Sequence, residues 1–242
     1  MTFRVLAAAS VLVMGVGAAD VASAQTSAGG VSVTVTGNWE PSIGGTMHEG
    51  GSGNVLNLTT RVDEKKWTDT HKKTGILGSA GVGVGINDMM EVVGNVEFGQ
   101  TKAQKLQVGT VATLPLFAEF DDLKYWGLNG GVRVFLSSGA MSPYVAGTVG
   151  FRRVSAIGGT FTVPAASVTL PQPFFDESTV PTFGGDFGVL FGKMRAKIGF
   201  QAGVHWTGRP KGSAASFAGT GLENLNDKGT RLSLPVGVVV RF

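Results

Sequence analysis

Apolar and polar residues alternate along eight segments of the chain. In the last segment the apolar positions are Leu232, Leu234, Val236, Val238, Val240 and Phe242. The other face carries Arg231, Ser233, Pro235, Gly237, Val239 and Arg241. Because successive side chains of a β-strand point to opposite faces, a period of two predicts strands with one apolar and one polar face. The predicted strands are 30–40, 74–87, 89–101, 123–137, 143–155, 183–192, 194–207 and 230–242.

The connections between these segments alternate between long and short. The long ones are 41–73, 102–122, 156–182 and 208–229. The short ones are turn-like and contain Asn87-Asp88, Ser138-Gly139 and Gly192-Lys193. Long loops at one end and tight turns at the other are typical of outer-membrane β-barrels, whose loops are extracellular and whose turns are periplasmic. An even number of strands then predicts that both ends of the chain lie in the periplasm.

The aromatic residues indicate which face meets the membrane. Trp39, Trp126 and Trp206 lie on the apolar face, each at a strand end next to a long connection. Phe98, Phe151 and Phe183 lie near the same rim. A soluble barrel with its apolar face inside would show the same alternation, but tryptophan is enriched at membrane–water interfaces. We therefore predict an all-β fold, an eight-stranded antiparallel up-and-down transmembrane barrel, with these six residues as an aromatic girdle.

The polar face is rich in glycine and carries charges of both signs. Its charged residues are Glu91, Glu97, Arg133, Arg152, Asp186, Arg195, Lys197 and Arg231. Unpaired charges are costly inside a narrow barrel, so opposite charges are expected to pair, for instance Asp186 with Arg195 or Lys197. The favoured interpretation is a plug that closes the lumen, since eight strands leave little free cross-section. The alternative is a selectivity lining, which would favour anions.

The number of strands has one alternative. A ten-stranded barrel would place an extra hairpin from 54–72 in the membrane. The segment 103–122 also alternates weakly and could extend the third and fourth strands beyond the bilayer.

The N-terminus predicts a secretory signal peptide over residues 1–24. Arg4 precedes an apolar run over 5–19, and Ala22-Ser23-Ala24 is a small-residue cleavage site before Gln25. The alternative, a membrane anchor, is disfavoured because Asp20 interrupts the run before the roughly 20 residues that a spanning helix needs. The mature domain is then 25–242, a single barrel domain.

Composition agrees with export and excludes several kinds of chemistry. The chain has 38 glycines, 15% charged residues and no cysteine. The lack of cysteine removes disulfides, thiolate metal sites and cysteine nucleophiles. The net charge of +3 is too small to suggest nucleic acid as a partner. We expect no cofactor.

Three histidines are the candidates for other chemistry. His205 faces the interior near the outer rim, and an enzyme acting on lipids would need it near a nucleophile and a carboxylate. No serine lies at a matching position on its strand, so we do not expect an enzyme. His48 and His71 lie in the first long connection without a recognised metal-ligand spacing. The pairs Lys65-Lys66 and Lys72-Lys73 could contact lipopolysaccharide phosphates there.

The segment Ser142-Pro143-Tyr144-Val145-Ala146-Gly147-Thr148-Val149-Gly150-Phe151 resembles a strand of the OmpA-like and OmpX-like small barrel proteins. The resemblance implies residence in the outer membrane, surrounded by its lipid and lipopolysaccharide. It also implies periplasmic chaperones and the barrel-assembly machinery as partners during biogenesis, with Val236, Val238, Val240 and Phe242 as the assembly signal. A peptidoglycan-binding domain, as in OmpA itself, is not expected after the barrel. We expect a monomer.

Three functions remain open at this stage. The first is a structural or surface-interaction role, in which a closed barrel holds extracellular loops. The second is a narrow channel or a carrier for small solutes. The third and least favoured is a lipid-modifying enzyme.

Overall fold

The structure is a computed structural model that describes residues 27–55, 57–71, 75–192 and 196–242. The predicted signal peptide, the pair Lys72 and Lys73, Lys193 of a predicted turn and Arg195 lie outside these residues. The strands are, in chain order, β1 (Val31–Trp39), β2 (Ser42–Gly44), β3 (Thr46–His48), β4 (Gly51–Val55), β5 (Leu58–Val62), β6 (Lys65–Lys66), β7 (Gly75–Asn87), β8 (Met90–Thr101), β9 (Leu106–Val111), β10 (Leu114–Phe120), β11 (Leu123–Phe135), β12 (Met141–Val154), β13 (Ile157–Val163), β14 (Val168–Phe175), β15 (Ser178–Phe191), β16 (Lys197–Thr207), β17 (Arg231–Ser233) and β18 (Val236–Arg241). A four-residue helix, α1 (Trp67–Thr70), and two 3₁₀ turns complete them. Among the residues described, no helix is long and apolar enough to cross a membrane.

Eight of the described strands form a closed antiparallel barrel. The order around it is β1, β7, β8, β11, β12, β15, β16 and β18, and β18 pairs with β1 to close the ring. Apart from that closure, each strand pairs with the next barrel strand along the chain. The predicted all-β, eight-stranded up-and-down architecture is confirmed.

The barrel has a turn end and a loop end. The turn end holds the connections 88–89 and 136–140 and both ends of the described chain, where the Phe242 amide donates to the Val33 carbonyl (2.8 Å). The outward face is apolar and open along the full height, as the exposed side chains of Val82, Val149 and Phe200 show. The apolar face of the barrel strands therefore points outward, as the positions of the aromatic residues predicted.

Proline interrupts the last predicted strand. Because Pro235 has no N–H to donate to the ladder, residues 230–242 form two pieces, β17 and β18. The Pro235 carbonyl still accepts a hydrogen bond from the Gly203 amide (2.9 Å), and this bond holds the segment next to β16. β17 pairs with β16 and also with β2, a short strand that follows β1.

The long connections contain a second β-structure, which we call the cup. Three hairpins, β4–β5, β9–β10 and β13–β14, come from the first, second and third long connections. They pair side by side in the order β14-β13-β10-β9-β5-β4 and so form a six-stranded sheet. The hairpins keep the order in which the barrel presents its loops. The cup is thus a second tier built on the loop end.

The cup explains why neither the ten-stranded barrel nor a simple extension of the barrel strands is observed. The hairpin at 51–62 does exist, but it pairs with β9 of the cup and not with the barrel, so the ten-stranded barrel is wrong. The segment 103–122 does not simply lengthen β8 and β11. Its strands β9 and β10 pair with each other and with strands from the other two hairpins.

The fourth long connection fills the gap between the two edges of the cup sheet. The Asn54 amide of β4 donates to the Thr220 carbonyl (2.7 Å). On the opposite edge, the Ser213 amide donates to the Phe174 carbonyl of β14 (3.0 Å), and the Asn226 side chain donates to the same carbonyl (2.8 Å). The segment 208–230 therefore satisfies edge groups that would otherwise be open to another chain.

The principal apolar core lies in the cup and in the loops beneath it. Its large members are Met47, Trp67, Phe120, Phe161, Phe174, Phe175 and Phe217. A much smaller apolar cluster closes the turn end of the barrel and consists of Phe135, Tyr144, Leu190 and Val239. Between these two clusters the barrel interior is polar.

Candidate functional site

A network of buried charges, the lower cluster, occupies the lumen near the turn end. It consists of Glu91, Arg133 and Arg241, all with side chains less than one tenth exposed. Arg133 Nη1 lies 2.6 Å from Glu91 Oε1, and Arg241 Nη2 lies 2.8 Å from Glu91 Oε2. The Ser32 hydroxyl donates to the same carboxylate (3.1 Å). One carboxylate thus holds two guanidinium groups that come from different strands.

Aromatic rings cover the two arginines of the lower cluster. The Arg133 guanidinium lies 5.0 Å from the centroid of the Tyr144 ring, and the Arg241 guanidinium lies 5.2 Å from that of Phe135. At such distances the face of an aromatic ring attracts a cation. Gly188 makes this packing possible, because a Cβ there would lie 2.4 Å from the Tyr144 ring.

A second network, the upper cluster, fills the lumen at the loop end. It consists of Glu40, Glu97, Arg152 and Arg231, whose side chains are at most 3% exposed. Arg152 Nε lies 2.5 Å from Glu97 Oε1, and its Nη1 lies 3.3 Å from Glu40 Oε1. Arg231 Nη1 lies 3.3 Å from Glu40 Oε2. Two carboxylates and two guanidinium groups therefore neutralise one another.

Glu40 lies at the centre of the upper cluster and has further partners besides the two arginines. The Tyr125 hydroxyl donates to Glu40 Oε2 (2.5 Å), and the Ser233 hydroxyl donates to Oε1 (2.8 Å). The Tyr125 ring also lies 4.3 Å below the Arg152 guanidinium. Gly99 leaves the space for that ring, since a Cβ there would lie 2.1 Å from it. A fully hydrogen-bonded buried network of this kind is rigid.

Asp186, Lys197 and His205 have different partners from those expected. Asp186 Oδ1 lies 3.1 Å from His205 Nε2, and His205 Nδ1 lies 3.4 Å from Arg152 Nη2. Lys197 instead donates to the Ser142 hydroxyl (2.8 Å) near the turn end. The expected pairing of Asp186 with Lys197 is thus replaced by Asp186 with His205, and Arg195 lies outside the described residues. Both ring nitrogens of His205 therefore have partners in the lumen.

Amide side chains occupy the middle of the lumen between the two clusters. The Asn95 amide donates to Asn129 (2.9 Å), and Asn129 donates to Glu97 (3.2 Å). On the other side, Tyr144 donates to Gln201 (2.9 Å), which donates to Asn38 (3.2 Å). The first chain of contacts reaches the upper cluster, and the second begins at the tyrosine that covers Arg133 of the lower cluster.

Sequence reasoning missed two of the principal charged residues of these clusters. Arg241 shares the parity of Arg231, so the period of two already placed it on the polar face. Glu40 shares the parity of Asn38, but it follows the last residue of β1, where strand and loop are hard to separate. The six charged residues of the predicted set other than Arg195 and Lys197 all lie in or beside the two clusters.

The predicted girdle lies around the loop end. Trp39, Phe98, Trp126, Phe151 and Phe183 point outward with exposed fractions between 38% and 52%. Trp206 is half-buried against Phe183, at 5.5 Å between ring centroids. Of the predicted assembly signal, Val236, Val238 and Phe242 are exposed on the outer face and Val240 is half-buried there.

The two loop histidines are buried beneath the cup. His48 packs between the rings of Phe120 and Phe174, at 5.9 Å from each centroid. His71 Nε2 lies 3.2 Å from the Asp121 carbonyl. Burial lowers the pKa of His48 and lowers that of His71 to about 4. Both rings are therefore neutral near pH 7. Within the described ranges no group of three or more His, Cys, Asp or Glu residues could hold a metal ion.

No family model matches this chain, and no curated protein matches it significantly. Among solved structures it is similar to Ail, the attachment invasion locus protein of Yersinia pestis, at 15% identity and a TM-score of 0.40, over 88% of this chain and 97% of Ail. Neisserial surface protein A is similar at 10% identity and a TM-score of 0.40, over 87% and 95%. The outer-membrane protein OprG of Pseudomonas aeruginosa is similar at 11% identity and a TM-score of 0.35, over 91% and 99%.

Proposed function

We propose that this outer-membrane β-barrel protein is a non-conducting scaffold that presents the cup at the cell surface for interaction. The barrel holds the membrane position, and the cup, built from four loops, holds the surface available to partners. The observation that supports this role most strongly is the pair of charge clusters that cross the lumen at two heights.

Geometry supports a closed lumen. The interior of an eight-stranded barrel is just wide enough for side chains to fill. Here it contains Arg133, Arg152, Arg231 and Arg241 with their carboxylates, the rings of Tyr125 and Tyr144, and the amide groups between them. An ion would have to displace several buried ion pairs in succession. Since breaking even one buried pair costs about 3–5 kcal/mol, passage through the resting barrel is disfavoured.

A barrel with its loop end toward the cell exterior has lipid and protein partners at defined positions. We infer that outer-membrane lipid contacts the girdle and that lipopolysaccharide phosphates contact the basic pair Lys65 and Lys66 at the base of the cup. Periplasmic chaperones and the barrel-assembly machinery would recognise the last strand, Val236 to Phe242. The modest net charge of +3 gives no reason to propose nucleic acid. Antiparallel closure leaves the barrel without an open edge, which supports a monomer.

Planar-bilayer recording tests the closed lumen. The unmodified protein should give no steady single-channel conductance, and such a conductance would overturn the proposal. A variant with Glu97→Ser, Arg152→Ser, Glu91→Ser and Arg133→Ser removes four ion pairs of the two clusters and should conduct. The matched control, Arg153→Ser with Glu177→Ser, removes an exposed pair outside the lumen and should remain closed. A heat-dependent mobility shift on SDS gels verifies that each variant is folded.

A further inference from the structure

An apolar cleft lies within the cup. All three hairpins and the fourth loop contribute to its walls, and its empty volume is about 620 Å³, part of which is open to solvent. The cavity volume within it is about 70 Å³, so a small molecule bound there would fill the cavity and extend into the open mouth. The residues described along its walls are Val55, Leu58, Thr60, Val62, Val111, Leu114, Leu116, Phe161, Val163, Ala166, Val168, Leu170 and Phe217.

The cleft opens at the end of the cup farthest from the barrel. Its exposed lining residues, Leu58, Leu114 and Ala166, lie at the turns where the three hairpins reverse. Its buried lining residues, among them Val62 and Leu116, lie farther down the same hairpins toward the barrel. The mouth therefore faces the aqueous exterior and not the bilayer that surrounds the girdle.

The lining sets the chemistry of an occupant. Among the described lining residues Thr60 is the single polar one, and its hydroxyl already donates to the Leu58 carbonyl (3.2 Å). A charged or strongly polar molecule would lose its hydration in the cleft without gaining a partner, which is unfavourable. A neutral apolar molecule loses nothing comparable and removes apolar wall surface from water.

The backbone around the cleft is unusual as well. Four described non-glycine residues have positive φ angles: Asn57 (62°), Ala112 (52°) and Ser167 (53°), each next in the chain to a lining residue, and Phe217 (51°), which is itself a lining residue. The first three lie in the turns at the mouth. The fourth is a bulky residue whose ring packs edge-on against Phe161 in the wall, at 5.0 Å between centroids. Left-handed residues are common in hairpin turns, so among the four only Phe217, in the wall, is an unusual conformation.

We propose that the cleft binds one neutral, predominantly apolar small molecule taken from the aqueous phase outside the cell. The proposal is independent of whether the lumen conducts, because the cleft lies above the upper cluster and needs no path through it. It gives the exposed apolar mouth an occupant, since exposed concave apolar surface of this kind marks a ligand groove.

The test is saturable binding of N-phenyl-1-naphthylamine, a neutral apolar fluorescent probe, to the full chain in lipid nanodiscs. The signal of empty nanodiscs is subtracted, because the probe also partitions into lipid. The unmodified protein should bind one probe per chain. The sulfonated probe 1-anilinonaphthalene-8-sulfonate has a related ring system with a charge and should bind at least tenfold more weakly.

Two variants locate the site. Ala166→Trp places a large ring at the mouth, and Leu58→Asp places a charge there, so each should weaken binding at least tenfold. Thr169→Trp is the matched control, since Thr169 is exposed and lies between two lining positions of β14, on the opposite face. Heat-modified gel mobility shows that each variant is folded, and because both targets are exposed at the mouth, folding should be retained.

Three results would overturn the proposal. One is a signal that does not saturate or does not exceed that of empty nanodiscs. Another is equal affinity for the neutral and the charged probe. The last is a mass corresponding to two chains that is lost in Ala166→Trp, which would show that a second copy occupies the mouth. None of these results depends on conductance, so the cleft and the closed lumen can fail separately.

Discussion

The barrel and the cup are both built from antiparallel hairpins, yet they bury opposite faces. In the barrel the apolar side chains point outward and the charges point inward; Phe98 of β8 is 51% exposed. In the cup the apolar side chains point inward; Phe120 of β10, in the next hairpin, is 4% exposed. The strand pattern is the same in both tiers, so the surroundings and not the period decide which face is buried.

The physical reason is the change of solvent at the girdle. Beside lipid, outward apolar groups cost nothing, and the polar groups must find partners inside the barrel. Above the girdle water surrounds the chain, so burial of apolar surface again drives packing. The upper cluster lies at the boundary between the two regimes, with the polar lumen below it and the aromatic core of the cup above it.

The largest expected effect on stability comes from disrupting the buried charges of the barrel. Arg152→Ala leaves Glu40 and Glu97 buried without one of their cationic partners, which should lower the free energy of unfolding by about 3–5 kcal/mol. Urea unfolding followed by gel mobility measures it. Arg153→Ala, one residue away, removes an exposed arginine and should cost less than about 1 kcal/mol. Equal losses in the two variants would contradict the buried network.

The next largest expected effect is a loss of stability in the cup. Phe120→Ala removes a buried ring that packs against Phe161 and Phe174, and should destabilise the cup by about 3–5 kcal/mol. Limited proteolysis should then cut the cup, while the barrel keeps its heat-modified mobility. Phe98→Ala removes the same ring from the lipid-facing side and should leave the cup resistant. If Phe98→Ala exposed the cup equally, the two tiers would not be separable.

The smallest effect is a pH dependence confined to the cup. Burial lowers the pKa of His71 to about 4, below its ordinary value of 6.5, so the unfolded cup binds the proton more tightly. The stability contributed by the neutral ring is present above pH 6.5 and is lost as the pH falls toward 4. At pH 4.5 the cup should be weaker by about 2–3 kcal/mol and more easily cut by an acid-active protease.

His71→Gln provides the control for the pH dependence. Glutamine keeps a polar side chain but does not titrate, so acidification should weaken the variant less than the unmodified protein. His48, whose pKa burial also lowers, would account for a remaining acid effect. An acid effect of the same size in a variant that lacks both histidines would assign it to carboxylates instead.

Much of the barrel could be predicted because its signals are local. The alternation located six of the eight barrel strands to within three residues at each end, and Pro235 split the last one. The parity of Val236 to Phe242 placed the outward face. The start of β15 was missed by five residues, since Ser178 to Thr182 contains Pro181 and lacks a clear apolar alternation.

The candidate site was less accessible from the chain. Parity placed Arg133 and Glu91 on one face, but it could not pair them or bring Arg241 to the same carboxylate from the far end of the chain. Glu40 lies at a strand boundary, where pattern is weakest. The cup could not be predicted from the sequence, because its sheet depends on pairing between hairpins from three different loops, as between Thr60 of β5 and Val111 of β9.

By itself, the sequence determined the two-residue period, the face on which each barrel side chain lies and the end at which the tryptophans gather. These properties depend on residues close together along the strand. The tertiary structure alone decided which charges share a carboxylate, that the loops fold into a sheet and that an apolar cleft opens above a polar lumen. Those properties depend on contacts between segments far apart in the chain, whose partners no local pattern specifies.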